Sequence, residues 1–292
     1  MMKAVLIMLA AMSCIPAGDA ASKVLTSQIG LAPGYVVWTR FGVGLLLVLP
    51  FTWRSAARIW RDWRVWARAA LLAMGIASIT QAFALAPLAD VFGAFFIGPI
   101  VSFVLSVVWL RERVHAVQWV LLFIGFAGVL MIVQPGFEGT AGLGWAVLAG
   151  VCYGIFLTMS RWLAGQVSVA GLVLSQMLGA LVATTPFVFG SFPGQAGGPD
   201  WSAQIIWLTL ASGGFSMAGN VLLLFAYRLQ DASRLAPFVY VQIVSALVLG
   251  WAVFGQFPDA LALAGIVLII GAGAFNAALA SRRPRAAAAE LG

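Results

Sequence analysis

Long apolar runs alternate with short polar or basic clusters along the whole chain. An α-helix needs about 20 apolar residues to cross the hydrocarbon core of a bilayer. Runs of that length fall at 3–21, 33–52, 67–86, 88–110, 116–134, 142–162, 169–190, 204–226, 235–254 and 259–280. At this length only helices satisfy their backbone groups in lipid, so the pattern predicts an all-α membrane protein with ten transmembrane helices. The connections at Pro87 and at Phe257-Pro258 are short, which makes the helices they join antiparallel neighbours.

The positive charges orient these helices. The even-numbered connections and both ends hold Lys3, Arg54, Arg58, Arg61, Arg64, Arg68, Arg111, Arg113, Arg161, Arg228, Arg234, Arg282, Arg283 and Arg285. Lys23 alone flanks the other side, and Arg40 lies inside a span. Lys and Arg gather on the cytoplasmic face of membrane proteins, so both termini are expected there. The segment from Trp53 to Trp66, rich in Trp and Arg, reads as an interfacial helix. The loop from Ser191 to Ala203 reads as the longest outer loop.

Composition narrows the class. Of 292 residues, 63% are hydrophobic and 9% charged, against about 25% charged in a soluble domain. The net charge of +7 does not point to nucleic acid, because the arginines flank apolar runs; anionic lipid head groups are the expected contact. Cys14 and Cys152 lie within apolar runs and read as small buried residues. One histidine, His115, makes a histidine-based metal site implausible. The chain shows no phosphate-binding loop, nucleophile elbow or zinc spacing. No cofactor and no enzymatic activity are therefore expected. The start of the chain imitates a signal peptide, with a weak lipobox at Cys14, yet it recurs later as a retained span.

That recurrence is general. At an offset of 143, Ile100-Val101-Ser102 matches Ile243-Val244-Ser245, Phe95 matches Phe238 and Gly128 matches Gly271. At 138, Ala11, Cys14, Ser22 and Leu25 match Ala149, Cys152, Ser160 and Leu163, and Lys23 aligns with Arg161. Five spans per half is an odd number, so the second copy, 138–292, is expected to be inverted relative to the first, 1–137. Inverted repeats characterise secondary transporters.

Several short motifs occur in a matching order. They are Gly18-Asp19-Ala20-Ala21-Ser22-Lys23 in the first span, Leu31-Ala32-Pro33 followed by Arg40-Phe41 in the second, and Pro99 with Leu110-Arg111-Glu112-Arg113 in the fourth; Gly125 and Gly128 follow in the fifth. In this the chain resembles the EamA-like members of the drug/metabolite transporter superfamily over nearly its whole length. Gln256 stands where the second half of that pattern has a glutamate. The resemblance implies ten spans in a five-plus-five inverted repeat and transport of small organic metabolites.

Arg40 is the sharpest candidate residue. An arginine inside a span costs at least about 2.5–3.5 kcal/mol on insertion scales and needs a partner. Asp19 is the natural one, with Lys23 one turn further. The three either form a structural ion cluster, contact an anionic substrate group, or gate and couple protons through Asp19. Asp90 suits a helix cap and Glu112 an interfacial ion pair. Gln81, Gln176, Asn220 and Gln242, with Trp38 and Tyr240, either glue helices together or line a central polar cavity suited to a small zwitterion or heteroaromatic solute. Pro99 and Pro237 lie in paired spans as candidate kinks. The expected function is secondary-active, alternating-access transport across a bacterial-type inner membrane, by a monomer or homodimer. The expected solute is an amino acid or derivative moved outward. Uptake of a cofactor-like molecule such as riboflavin or S-adenosylmethionine is the alternative, and a non-transporting membrane scaffold is the rival from another class.

Overall fold

The structure, a computed structural model, describes residues 2–52, 62–85, 91, 94–134, 140–188, 202–255 and 259–289. Their principal elements are eleven α-helices: α1 Met2–Ser27, α2 Pro33–Thr52, α3 Trp63–Leu85, α4 Gly98–Val108, α5 Ala116–Val133, α6 Thr140–Leu163, α7 Val169–Thr184, α8 Ala203–Leu229, α9 Ala232–Val239, α10 Val241–Phe254 and α11 Ala260–Ala289. The fold is all-helical among these residues. Six stretches are long and apolar enough to cross a membrane: Met2–Thr26, Gly34–Thr52, Ala116–Val133, Gly142–Leu163, Ala203–Leu229 and Ala232–Val253. Gly98–Val108, Val169–Thr184 and Ala260–Asn276 are apolar but shorter.

The helices follow the apolar runs, with two departures. The run at 88–110 is interrupted at Phe96-Ile97 by a turn, with Val91, Ala94 and Phe95 helical before it and α4 starting at Gly98 after it. The run at 235–254 begins earlier, at Ala232, and divides at Tyr240 into α9 and α10. Pro237 lies inside α9, where its missing N–H weakens the turn leading to the break.

The packing partners obey an exchange rule. The pairs α1 with α8 and α3 with α6 form the two most extensive contacts. The pair α2 with α8 is matched by α7 with α3, and α4 with α6 is matched by the α9–α10 pair with α1. The pairs α2 with α7, α5 with α11 and α4 with α9 each map onto themselves. Exchanging α1–α5 for α6, α7, α8, α9–α10 and α11 leaves this pattern unchanged. At the α5–α11 crossing, a Cβ on Gly128 would lie 2.7 Å from the Gly265 carbonyl oxygen, and one on Gly265 would lie 2.5 Å from the Gly128 oxygen. The backbones touch there because neither residue has a side chain.

Met8, Met12, Phe156, Tyr227, Leu235 and Phe238 form a core that joins α1, α6, α8 and α9. Leu46, Phe51, Trp207 and Val267 are exposed, as lipid-facing side chains are.

The structure corrects one assignment. Arg68, grouped above with the loop arginines, sits in the second turn of α3 with its side chain fully buried. The helix starts early because the Asp62 carboxylate accepts the Arg64 backbone N–H at 3.0 Å. That cap starts the helix at Trp63 and so places Arg68 in its second turn. Residues 53–61, Pro87, Asp90, most of the 191–203 loop, Gln256, Phe257 and Pro258 lie outside the described residues.

Candidate functional site

Two three-helix junctions each hold an arginine. At the first, α1, α2 and α8 meet. Arg40 of α2 makes an ion pair with Asp19 of α1, and its Nε donates to Ser216 Oγ of α8 at 2.8 Å. The Arg40 side chain is 16% exposed and that of Asp19 49%. The hydroxyls of Ser22 and Ser212 bond at 2.7 Å, tying α1 to α8 one turn away. Asp19 is half open at the surface of the structure, and an ionised carboxylate in a membrane span favours water or a charged partner over lipid. Lys23 is exposed on the same helix, one turn on.

The second junction, of α6, α7 and α3, is the counterpart of the first under the exchange of halves. Here α3 supplies the arginine. Arg68 Nε donates to Ser160 Oγ at 2.7 Å, Nη1 to the Leu172 carbonyl at 3.1 Å and Nη2 to Gln176 Oε1 at 2.8 Å. Its guanidinium lies 4.3 Å from the centre of the Phe156 ring. Neutral oxygens and a ring face compensate this charge; no carboxylate among the described residues pairs with it.

The amides join the junctions. Gln176 Nε2 donates to Asn220 Oδ1 at 2.7 Å, and Asn220 Nδ2 donates to the Ser216 carbonyl at 2.8 Å. The structure thus brings Arg40, Asp19, Gln176 and Asn220 into one network, with Arg68 at its far end. It leaves the other candidates elsewhere. Trp38 Nε1 donates to Thr185 Oγ1 at 3.2 Å, fastening α2 to the end of α7. Gln81 is exposed on α3. Tyr240 is buried, its ring against Phe96 and Phe126. Its hydroxyl and Gln242 Oε1 are buried without a partner among the described residues. Pro99 occupies the first turn of α4, just past the Phe96-Ile97 turn.

Three features escaped the sequence reading. Tyr153 of α6 stacks between Phe95 (5.3 Å) and Phe156 (6.1 Å). Arg68 is the second. The third is the extent of the network at the opposite end from Asp19, built around the Glu112 ion pair that the sequence led one to expect. Glu112, beyond the end of α4, accepts the backbone N–H groups of Ala232 (3.1 Å) and Ser233 (2.9 Å) and Arg161 Nε (3.3 Å). Arg161 also donates to Asp231 Oδ1 at 2.6 Å and to the Tyr227 carbonyl at 2.7 Å. The Glu112 carboxylate is 8% exposed. One carboxylate of the first half therefore holds the ends of α6 and α9. Beside the bundle, Arg64 hydrogen bonds hold Asp62 below the usual carboxylate range. No cluster of His, Cys, Asp or Glu fit for a metal occurs among the described residues.

Comparison with known proteins agrees with this architecture. The EamA-like transporter family model matches twice, over residues 2–134 and 140–277. A riboflavin transporter of Rhizobium johnstonii is 26% identical, covering 89% of this chain and 86% of its own length. An S-adenosylmethionine uptake transporter of Rickettsia felis is 25% identical, covering 89% and 87%. A pseudopaline exporter of Pseudomonas aeruginosa is 28% identical, covering 80% and 82%. A solved crystal structure superposes with a TM-score of 0.76 at 20% identity, over 96% of this chain and 98% of its own, and so shares the fold. The chain belongs to the EamA-like transporter family, as a transporter of small metabolites and not an enzyme.

Proposed function

We propose that this protein moves a small zwitterionic metabolite, an amino acid or a derivative of one, across a bacterial inner membrane by alternating access. The single observation carrying this reading is the half-exposed Asp19–Arg40 pair on Ser216. A zwitterion can replace each partner's counterion: its carboxylate takes the Arg40 fork bidentately, and its ammonium takes Asp19.

In this reading residues 1–137 and 138–292 are inverted five-helix repeats with ten crossings and both termini cytoplasmic. The Asp19 end then faces outward and the Glu112 end faces the cytoplasm. Asp19 is half open while Glu112 is enclosed by three donors, which fits a state closed on the cytoplasmic side. Flux in either direction follows the gradient, because alternating access is reversible. Proton coupling would run through Asp19, the carboxylate that solute and solvent both reach.

A second reading is favoured by the Phe95–Tyr153–Phe156 stack. Those rings suit a planar heteroaromatic solute, and relatives are named for riboflavin and S-adenosylmethionine. The test is thermal stability of the purified protein with amino acids, S-adenosylmethionine, riboflavin or a cationic drug, in parallel with Arg40→Ala. A ligand at 100 times its Kd stabilises by about 2.7 kcal/mol. A saturable shift with a zwitterion, lost in Arg40→Ala, supports the first reading. A shift with riboflavin that survives Arg40→Ala supports the second.

A further inference from the structure

Arginine donates hydrogen bonds and accepts none. That one-sidedness gives the buried network a direction. Arg68 Nη2 meets Gln176 at 2.8 Å, so Gln176 must present Oε1 there, because the flipped amide would set N–H against guanidinium. Gln176 Nε2 is thereby turned to Asn220, whose Oδ1 accepts it at 2.7 Å. Asn220 in turn must present Nδ2 to the Ser216 carbonyl, at 2.8 Å. The hydroxyl of this same Ser216 accepts Arg40 Nε at 2.8 Å. The orientation of both amides is set by the guanidinium of Arg68, and the series runs from α3 through α7 and α8 to α2 and α1.

We propose that Arg68 is a positioning residue for the Asp19–Arg40 pair, acting through the Gln176–Asn220 relay, so that the two arginine junctions open and close as one unit. The proposal rests on Arg40 as the solute-facing group. Its physical basis is the contrast between the ends. Arg68 is buried and held by three oxygens and a ring. Arg40 is partly exposed, with one charged and one neutral partner. The two junctions are also exchange counterparts, α6, α7 and α3 against α1, α2 and α8. A relative movement of the halves parts α3 from α7 and α2 from α8, so Arg68 leaves Gln176 as Arg40 leaves Ser216, and the Gln176–Asn220 bond, which lies within the second half, links the two events.

The test uses full-length protein in vesicles, with Cys14→Ala and Cys152→Ala and a reporter cysteine, Ala20→Cys, beside Asp19. The readout is its labelling rate with a membrane-impermeant maleimide. Arg68→Gln and Asn220→Leu are each expected to change the rate by about threefold or more, and the pair together by no more than either alone, since linked residues are non-additive. Arg68→Lys, which keeps the charge and can still donate to Gln176, should restore most of the original rate. Gln176→Leu cuts the relay while leaving Arg68 its bonds to Ser160 and Leu172, and replaces Arg68→Gln if that variant does not fold. Independent, multiplying effects of the two cuts, or an unchanged rate in folded Gln176→Leu protein, would overturn the proposal. Failure of the transport reading appears separately, as no flux of S-adenosylmethionine, riboflavin or amino acids in the same vesicles, with the labelling result intact.

Discussion

Ile97 and Tyr240 share one backbone conformation at equivalent places in the two halves. Ile97 has φ −63° and ψ −20°, and Tyr240, 143 positions later, has φ −64° and ψ −19°. Both interrupt apolar runs that a regular helix would cross, and the rings of Phe96 and Tyr240 meet at 6.4 Å. Matched interruptions in corresponding spans are a feature of transporters built from inverted repeats.

The break leaves the Tyr240 hydroxyl buried and unpaired among the described residues. Such a group bears the desolvation cost of a lost partner, about 1–3 kcal/mol. Tyr240→Phe removes the hydroxyl and keeps the ring, so thermal unfolding should shift upward by the equivalent of about 1 kcal/mol. Unchanged or lower stability would mean that the hydroxyl has a partner in the membrane-embedded protein. A gain in stability with a loss of transport would place that partner in the state open to the other side.

The Asp19–Arg40 pair yields a prediction from charge balance. Asp19→Asn leaves Arg40 with Ser216 as its remaining partner named here. Removing one member of a buried charged pair costs about 3–5 kcal/mol, and less is expected here because Asp19 is half exposed. The neutral double variant, Asp19→Asn with Arg40→Gln, should be more stable than Asp19→Asn alone. Thermal scans of the four proteins check this; strictly additive losses would show that the pair adds no coupling.

Arg40 was legible in the sequence because it is alone in an apolar run, and Asp19 followed from the need for a partner. Arg68 was not, because it ends a series with Arg54, Arg58, Arg61 and Arg64 that reads as a cytoplasmic loop. A finer signal was present: Val65, Ala67, Ala69, Ala70 and Leu71 surround Arg68 with small or apolar residues, unlike its neighbours in the series. The helix courses were set by hydropathy, and six of the ten expected spans appear among the described residues as stretches long and apolar enough to cross a membrane. The break at Tyr240 was not visible, because Pro237 alone gives a kink without its position or extent. The amides were ambiguous between cavity and glue, and only distances separate the two: Gln176 and Asn220 bond each other, while Gln81 is exposed.

Glu112 ties helix ends together at its end of the bundle. Its carboxylate accepts two backbone N–H groups at the start of α9 and Arg161. Glu112→Gln has one carbonyl oxygen for three donors and no charge for Arg161. The expected cost is about 2–3 kcal/mol. In vesicles, a cysteine at Ser233 should react with a thiol reagent applied from its own side of the membrane several-fold faster in Glu112→Gln than in its parent. Equal rates would show that Glu112 anchors α9 without closing a passage.

A pH effect is expected outside the spans. Asp259 precedes α11, accepts the Ala262 backbone N–H at 2.7 Å as its cap, and accepts Gln134 Nε2 from the end of α5 at 2.7 Å. The Gln134 bond, followed by the backbone bonds, holds Asp259 below the usual carboxylate range, with a small opposing push from burial. A carboxylate with a lowered pKa in the folded state contributes stability above its unfolded value, near 3.8, and that contribution is lost as pH falls through the lower folded value. Wild type should therefore exceed Asp259→Asn in thermal stability at neutral pH, and the difference should shrink below about pH 4. Gln134→Leu should give part of the same neutral-pH loss, since it removes the largest cause and leaves the cap. A gap between wild type and Asp259→Asn that stays constant down to about pH 3 would mean the carboxylate gains nothing from its charge there.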